Sequence, residues 1–182
     1  MLPESDVLLT IAEVAVAFAG FASLVSILGR GTSIDNPRVL SLRMRAMLLT
    51  SLLVVAFALF PLILVGYGVP GRVDWIVSSG VLLVATLGYY SWLREAIRTL
   101  GRAGLTPSPF QRRVIIPTLL LTLIAVASLL LLNAALAIPA IYLTALALLL
   151  SQSAFAFCLI VFSFLPRIHA DDAPPGRDVE EG

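Results

Sequence analysis

Residues 114–165 read VIIPTLLLTLIAVASLLLLNAALAIPAIYLTALALLLSQSAFAFCLIVFSFL, a run of 52 residues without a charged side chain. As one helix this run would be about 78 Å long, whereas the hydrocarbon core of a bilayer is about 30 Å thick. Proline favours the first position of a helix and breaks a helix interior, so Pro139 predicts where the chain folds back. We therefore expect two membrane spans, 114–132 and 140–165. The alternative is a four-span protein whose second half of this run re-enters the membrane without crossing it.

The rest of the chain is similarly apolar. Of its 182 residues 59% are hydrophobic and 13% are charged, against roughly 25% charged residues in soluble domains. Runs at 7–28, 46–69 and 75–93 are each long enough to cross a bilayer. The sequence therefore predicts an all-α, polytopic membrane helical bundle of five transmembrane helices within residues 1–165. Residues 166–182 are predicted to form a disordered, acidic cytoplasmic tail.

Arginine supplies all 12 positive charges, and its distribution predicts the orientation. With the N-terminus outside, eleven arginines lie on the cytoplasmic side and Arg72 alone lies outside, as the positive-inside rule favours. We therefore expect an N-out, C-in topology. Tyrosine and tryptophan favour membrane interfaces, so we expect six aromatic residues there: Tyr67, Trp75 and Tyr142 outside, and Tyr89, Tyr90 and Trp92 inside.

Two loops on the cytoplasmic side carry further signals. Asp35-Asn36-Pro37 is typical of a helix start and predicts a short helix leading into the second span. In the next loop the spacing of Arg94, Arg98 and Arg102 places them on one helix face, and Gly101 and Gly104 then end the helix. Setting the topology explains these arginines, and binding anionic lipid headgroups is the alternative role that we assign to them.

Glu13 is the one ionisable residue inside a predicted span, which by default suggests a functional site. It lies about 9 Å below the outer boundary, and Asn133, six residues before Pro139, lies at a similar depth. The two are expected to meet in a polar pocket near Arg72 and Asp74. The alternative for Glu13 is that it reaches the interface, or that it is neutral and hydrogen-bonded to a neighbouring helix. The alternative for Asn133 is an ordinary hydrogen bond between packed helices.

The predicted polar pocket has two possible extensions. Pro61 cannot donate to the carbonyl of Phe57, which leaves an acceptor free in the second span. Gln152 lies near the bilayer midplane, and we group it with Glu13 and Asn133 as a candidate ion pathway. If the hydroxyls below it face one another, the polar track continues to the inner side, through Ser23, Ser26, Thr50, Ser51, Thr118 and Thr122. Otherwise each hydroxyl bonds its own helix backbone.

Small residues form one face of the first span: Ala12, Ala15, Ala19, Ala22 and Ser26. Such a face lets another helix approach closely. The partner helix belongs to the same chain, or it is the first span of another subunit. In the second case Glu13 would repeat around a shared axis, and rings of carboxylates select cations.

Other classes of function are not expected. A net charge of +1 does not favour nucleic acid as a partner. The one cysteine, Cys158, lies inside an apolar run and the one histidine, His169, lies outside every apolar run, so we expect no metal site and no cofactor. No nucleophile has a base nearby, since His169 and Glu13 are predicted on opposite sides of the membrane, so we expect no enzyme.

The opening residues 11–23, IAEVAVAFAGFAS, precede arginine-rich turns and a second span that contains Pro61. In these features the chain resembles small uncharacterised polytopic membrane proteins of bacteria. The resemblance implies the bacterial inner membrane and supplies no activity, substrate or binding residue. We expect an oligomeric channel or carrier for protons or small cations with Glu13 in its pathway. The alternative is a non-conducting accessory or scaffold subunit that binds other membrane proteins.

Overall fold

The computed structural model describes the backbone of residues 4–28, 37–104 and 109–171 and the side chains of residues 4–24, 38–104 and 113–160. The described chain is all-helical. Its five helices are α1 (Ser5–Leu28), α2 (Pro37–Gly66), α3 (Gly71–Arg102), α4 (Pro109–Leu136) and α5 (Pro139–Asp171). Each is long and apolar enough to cross a membrane, so the predicted class and number of helices are confirmed.

Several helices extend beyond the predicted spans, because an apolar run marks only the part of a helix suited to hydrocarbon. α2 begins at Pro37, so the short helix expected before the second span is the first part of α2 itself. Asp35 and Asn36 lie outside the described residues. α5 continues to Asp171, so residues 166–171 of the tail predicted to be disordered are helical, and 172–182 lie outside the described residues.

α3 continues past its predicted span to Arg102, as the arginine spacing suggested. Its C-cap is Ala103, and Gly104 follows with φ 74°, a left-handed conformation that glycine adopts without strain. Glu95 lies between the arginine turns and forms ion pairs of 3.7 Å with both Arg98 and Arg102. These pairs are exposed and contribute little to stability.

Four helices form a ring, in which α2 packs on α3, α3 on α4, α4 on α5 and α5 on α2. α3 and α5 also touch across the ring. α1 lies outside it, in the groove between α2 and α5. We call the end with the α2–α3 and α4–α5 connections the turn end. The opposite end, called the arginine end, holds seven of the eight arginines with described side chains: Arg38, Arg43, Arg45, Arg94, Arg98, Arg102 and Arg113.

The fold-back predicted at Pro139 is a two-residue connection between α4 and α5, made of Ala137 and Ile138. The Ala137 amide donates to the Asn133 carbonyl at 2.7 Å, which satisfies one carbonyl of the last turn of α4. Ala137 has φ 54°, a left-handed conformation that crowds the Cβ of an L-residue. The turn is therefore strained at this alanine.

Replacing Ala137 by glycine is expected to stabilise the protein by about 0.5–1 kcal/mol, because relief of the left-handed strain exceeds the entropy that glycine adds to the unfolded chain. Thermal unfolding in detergent measures this change. The matched control is Ala147→Gly, at an exposed alanine inside α5, where glycine is expected to destabilise by up to about 1 kcal/mol. An Ala137→Gly protein that unfolds no later than the wild type would contradict the strain.

Candidate functional site

One face of α3 directs polar side chains into the interior of the ring. Asp74, Ser78, Thr86 and Tyr90 lie at multiples of four residues along α3, with Ser79 beside them, and each four-residue step turns by about 40°, so these polar residues wind slowly around the helix. All five residues are buried. The other three ring helices cover this face, because α3 contacts α2, α4 and α5. A membrane helix with a polar face turned inward marks the ring interior as the candidate site.

Asp74 is the charged residue of this face, and its side chain has 0% exposure. It lies in the first turn of α3, where the partial positive charge of the helix N-terminus favours a carboxylate. The Ser78 hydroxyl donates to Asp74 Oδ1 at 3.3 Å, whereas Oδ2 has no hydrogen-bond partner among the described residues. No described arginine lies within ion-pair distance of this carboxylate, and Arg72 of the same turn is exposed.

Asn133 lies at the same end of the ring and also has 0% exposure. Its Nδ2 donates to the hydroxyl of Ser79 at 2.7 Å, which joins α4 to α3. Its Oδ1 has no partner in the described part of the chain. Two buried acceptor oxygens, Asp74 Oδ2 and Asn133 Oδ1, are thus left without donors, next to helix neighbours Ser78 and Ser79. Such acceptors are costly in an apolar interior unless they bind a proton, a cation or water.

A buried tyrosine of α5, Tyr142, also lies at the turn end. The Tyr142 hydroxyl donates to the carbonyl of Phe57 at 2.7 Å, the carbonyl that Pro61 leaves without a helical donor. The Tyr142 ring packs edge-on against Trp75 at 5.5 Å, and Tyr142 lies close enough to Asp74 for an electrostatic interaction. Tyr142 has 0% exposure, so its ring packs inside the bundle, and its depth at the membrane interface stays a prediction. The free carbonyl was predicted correctly, and its partner was not.

A second group of polar residues lies nearer the arginine end of the ring. The Tyr90 hydroxyl donates to Gln152 Oε1, and this buried bond links α3 to α5 across the ring. No described residue accepts a hydrogen bond from the amide nitrogen of Gln152. Three buried hydroxyls of the ring also have no described partner: Ser51, Thr86 and Ser153. Leu82, fully buried within the apolar core, lies between these residues and the Asp74 cluster along α3.

A partly open cavity lies towards the arginine end of the ring, with a volume of about 140 Å³ and a lining from all four ring helices. The lining is apolar except for Arg43, Thr50, Tyr89 and Gln152. Thr50 and Tyr89 donate to the same carbonyl, that of Ala46, at 2.8 and 3.3 Å. Arg43 is half-buried, and no described carboxylate lies within ion-pair distance of it.

Glu13 does not join this interior. It is exposed on α1, which contacts α2 and α5 but neither α3 nor α4. The expected pocket between Glu13 and Asn133 is therefore wrong, because α4 lies on the far side of the ring. Of the three candidate pathway residues, Asn133 and Gln152 are inside the ring, in separate polar groups, and Glu13 is outside.

The polar track expected below Gln152 does not form as a connected path among the described side chains. Four of its hydroxyls donate to their own helix backbone, four residues back: Ser23, Thr50, Thr118 and Thr122. This is the alternative that the sequence left open. Ser51 is buried without a described partner, and the Ser26 side chain lies outside the described residues.

The small-residue face of α1 packs within the chain. Ala12 and Ala15 belong to the main apolar core, and Ala22 packs against Met44 and Met47 of α2. Ala19 is half-buried. The helix partner of this face is therefore α2 together with α5 of the same chain. The candidate headgroup ligands of α3 are all exposed at the arginine end: Arg94, Arg98 and Arg102.

The sequence placed Asp74 only beside the pocket expected for Glu13 and Asn133, and it did not single out Arg43; one signal was available for the role of Asp74. The predicted third span started at Trp75, so Asp74 was treated as a loop residue, although its four-residue spacing to Ser78 continues to Thr86 and Tyr90. Nothing in the spacing distinguishes Arg43 from the other arginines of its side of the membrane. Its place in the cavity follows from the packing of four helices.

The described residues thus offer a buried acidic cluster at the turn end and an apolar cavity with one arginine at the opposite end. Within those residues no three histidine, cysteine, aspartate or glutamate side chains are grouped closely enough to hold a metal ion. Comparison of the chain with models of protein families, with curated proteins and with solved structures finds no match.

Proposed function

We propose that the protein moves protons or small cations across a membrane through the interior of the α2–α5 ring, with Asp74 as the residue that binds the ion. The observation that carries this proposal is the Asp74 carboxyl, which has 0% exposure and finds neither a donor for one of its oxygens nor an arginine partner among the described side chains. An ionisable side chain inside a membrane bundle is expensive to keep and is by default a functional site.

The chemistry around Asp74 supports a hard, oxygen-bound ion. Ser78 donates to the carboxyl, and Asn133 offers a second unpaired oxygen held by Ser79. Carboxylate, amide and hydroxyl oxygens suit a proton or a hard cation, whereas soft metals prefer sulfur and imidazole. Nearer the arginine end, Gln152 in the cavity lining and the buried hydroxyls supply further polar groups in the ring. Glu13 is not part of this pathway, which revises the residue expected from the sequence.

The proposed setting is a bacterial inner membrane with the arginine end in the cytoplasm. Seven of the eight described arginines lie at that end, and cytoplasmic ends of membrane helices are enriched in arginine. The turn end, with Arg72 and the Asp74 cluster, then faces outward. In this orientation Asp74 lies towards the outer side of the membrane, and the arginines lie towards the cytoplasm.

Ion flux into liposomes that contain the full-length protein tests the proposal. Wild type is expected to conduct protons or a monovalent cation, and Asp74→Asn, which keeps the shape and removes the charge, is expected to fall to the flux of protein-free liposomes. Glu13→Gln is the matched control and is expected to stay within about twofold of wild type, because Glu13 lies outside the ring. Thermal unfolding verifies that both variants fold.

Each other outcome of this experiment contradicts the proposal. Wild-type flux in Asp74→Asn would remove Asp74 from the pathway. Loss of flux in Glu13→Gln alone would assign ion binding to Glu13, the residue expected from the sequence. Absence of flux in the wild type, at both signs of membrane potential and over a range of pH, would exclude conduction.

The second candidate is a non-conducting accessory subunit, and the exposure of Glu13 favours it. Glu13 lies on the face of α1 that neither α2 nor α5 covers, among exposed Val14 and Val16. A carboxylate that faces lipid is costly, and a partner helix would shield it. The partner is a second copy of this chain or another membrane protein. Wild type without flux, together with recovery of a defined complex after cross-linking at Val16, would favour this function.

A further inference from the structure

We propose that the cavity at the arginine end binds the anion of a single-chain fatty acid, with the carboxylate at Arg43 and the alkyl chain inside the ring. The cavity is independent of the Asp74 cluster, so this binding goes beyond the proposed ion movement. Three properties of the cavity support this binding: Arg43 has no acidic partner among the described side chains, the lining is apolar and the volume is limited.

The charge of Arg43 calls for an anion. Arg43 is half-buried in the cavity lining, yet no described carboxylate pairs with it, whereas Arg98 and Arg102 share Glu95. A partly desolvated guanidinium without a counter-ion is costly. Its planar donors match the two oxygens of a carboxylate. An anionic head at this position would supply the missing partner.

The lining calls for a hydrocarbon chain. Below Arg43 the α2 wall presents Ala46 and Met47, and then reaches Thr50 two helical turns further on, about 10 Å along the axis. Leu93 of α3 and Phe155 of α5 lie on facing walls. The hydroxyl of Thr50 already donates to a backbone carbonyl, and the side-chain oxygen of Gln152 already accepts from Tyr90. The depth of the cavity therefore offers contact with carbon atoms rather than a second charged site.

The volume of the cavity favours a ligand with one alkyl chain. The cavity measures about 140 Å³. A space of this size between four packed helices suits one alkyl chain of medium length. We therefore assign the cavity to a fatty-acid anion, and a membrane phospholipid is the competing occupant in the test below.

Native mass spectrometry of the full-length protein in detergent, titrated with decanoate, tests this assignment. Wild type is expected to bind one decanoate. Arg43→Gln is expected to weaken binding at least about tenfold, the usual consequence of losing a charge-assisted pair. The matched control is Arg45→Gln, which removes the same charge from an exposed neighbour on the same helix and is expected to stay within about twofold of wild type.

Three further arms separate the sources of binding. Decanol, with the same chain and a neutral head, is expected to bind at least about tenfold more weakly than decanoate. Arg43→Lys is expected to retain part of the affinity, and Ala46→Leu, which narrows the cavity and keeps Arg43, is expected to lose it. Thermal unfolding of each variant verifies its fold.

Three results would overturn the assignment. Equal losses in Arg43→Gln and Arg45→Gln would mean general attraction to a basic surface. Equal binding of decanol would mean that the chain alone is recognised. Displacement of decanoate by an equimolar amount of dioleoylphosphatidylglycerol would assign the cavity to a phospholipid.

Discussion

Replacing Tyr142 by alanine is expected to destabilise the protein by about 3–5 kcal/mol, the range for truncating a large buried aromatic side chain. Tyr142 has 0% exposure, packs edge-on against Trp75 and donates to the carbonyl of Phe57. Its removal opens a cavity between three helices and leaves that carbonyl without a donor. Unfolding in detergent measures the loss. The control is Thr144→Ala, at an exposed residue of the same helix, which is expected to cost less than about 1 kcal/mol.

The hydrogen bond of Tyr142 is isolated by combining Tyr142→Phe with Pro61→Ala. Tyr142→Phe alone is expected to cost about 1–3 kcal/mol, because the buried carbonyl of Phe57 then has no donor. Pro61→Ala restores a backbone N–H four residues after Phe57, where the helix itself supplies the bond. In that background Tyr142→Phe is expected to cost at least about 1 kcal/mol less. Equal costs in the two backgrounds would contradict the role assigned to this tyrosine.

Breaking the bond between Tyr90 and Gln152 is expected to destabilise the protein by about 1–3 kcal/mol, because either single change leaves a buried polar group unpaired. Tyr90→Phe leaves the amide oxygen of Gln152 without its donor, and Gln152→Leu leaves the hydroxyl of Tyr90 without its acceptor. The double variant removes both groups and is expected to cost at least about 1 kcal/mol less than the sum of the single variants.

Unfolding of the four proteins in this cycle gives the coupling energy directly. Ser91 provides the control pair with Gln152, since its hydroxyl is exposed and bonds the Gly88 carbonyl on its own helix. Ser91→Ala and Gln152→Leu are therefore expected to be additive within about 0.5 kcal/mol. Additive costs for Tyr90 and Gln152 as well would show that the two side chains do not support each other.

Much of the fold could be predicted from the sequence, because membrane helices are specified by local properties. The lengths of the apolar runs predicted five helices, and Pro139 predicted the fold-back. The arginine spacing after Leu93 predicted the continuation of α3 to Arg102. Pro61 predicted a free carbonyl for a chemical reason that needs no tertiary information. Each of these conclusions depends on residues within one or two helical turns of each other.

The site could not be predicted in the same way, because it depends on which helices are neighbours. Glu13 and Asn133 are predicted at similar depths, yet α1 packs outside the ring on α2 and α5 and does not contact α4. Depth along the membrane normal says nothing about the position of a helix around the ring. Arg43 likewise differs from Arg45 only in the direction that its side chain takes from α2.

The sequence patterns also did not predict which aromatic residues pack inside the bundle. Four of the six expected at membrane interfaces are buried: Trp75, Tyr89, Tyr90 and Tyr142. Tyr67 and Trp92 are exposed. A tyrosine needs a hydrogen-bond partner for its hydroxyl, and a headgroup region or a buried acceptor satisfies it equally well. Here Phe57, Ala46 and Gln152 supply buried acceptors.

The position of α1 has a consequence for the order of assembly during synthesis. α1 is the first of the five helices to leave the ribosome, and it docks in a groove between α2 and α5. One wall of that groove is the last of the five helices to be made. Until α5 arrives, α2 alone covers the alanine face of α1, so the docking of the first helix is completed only after the ring has closed.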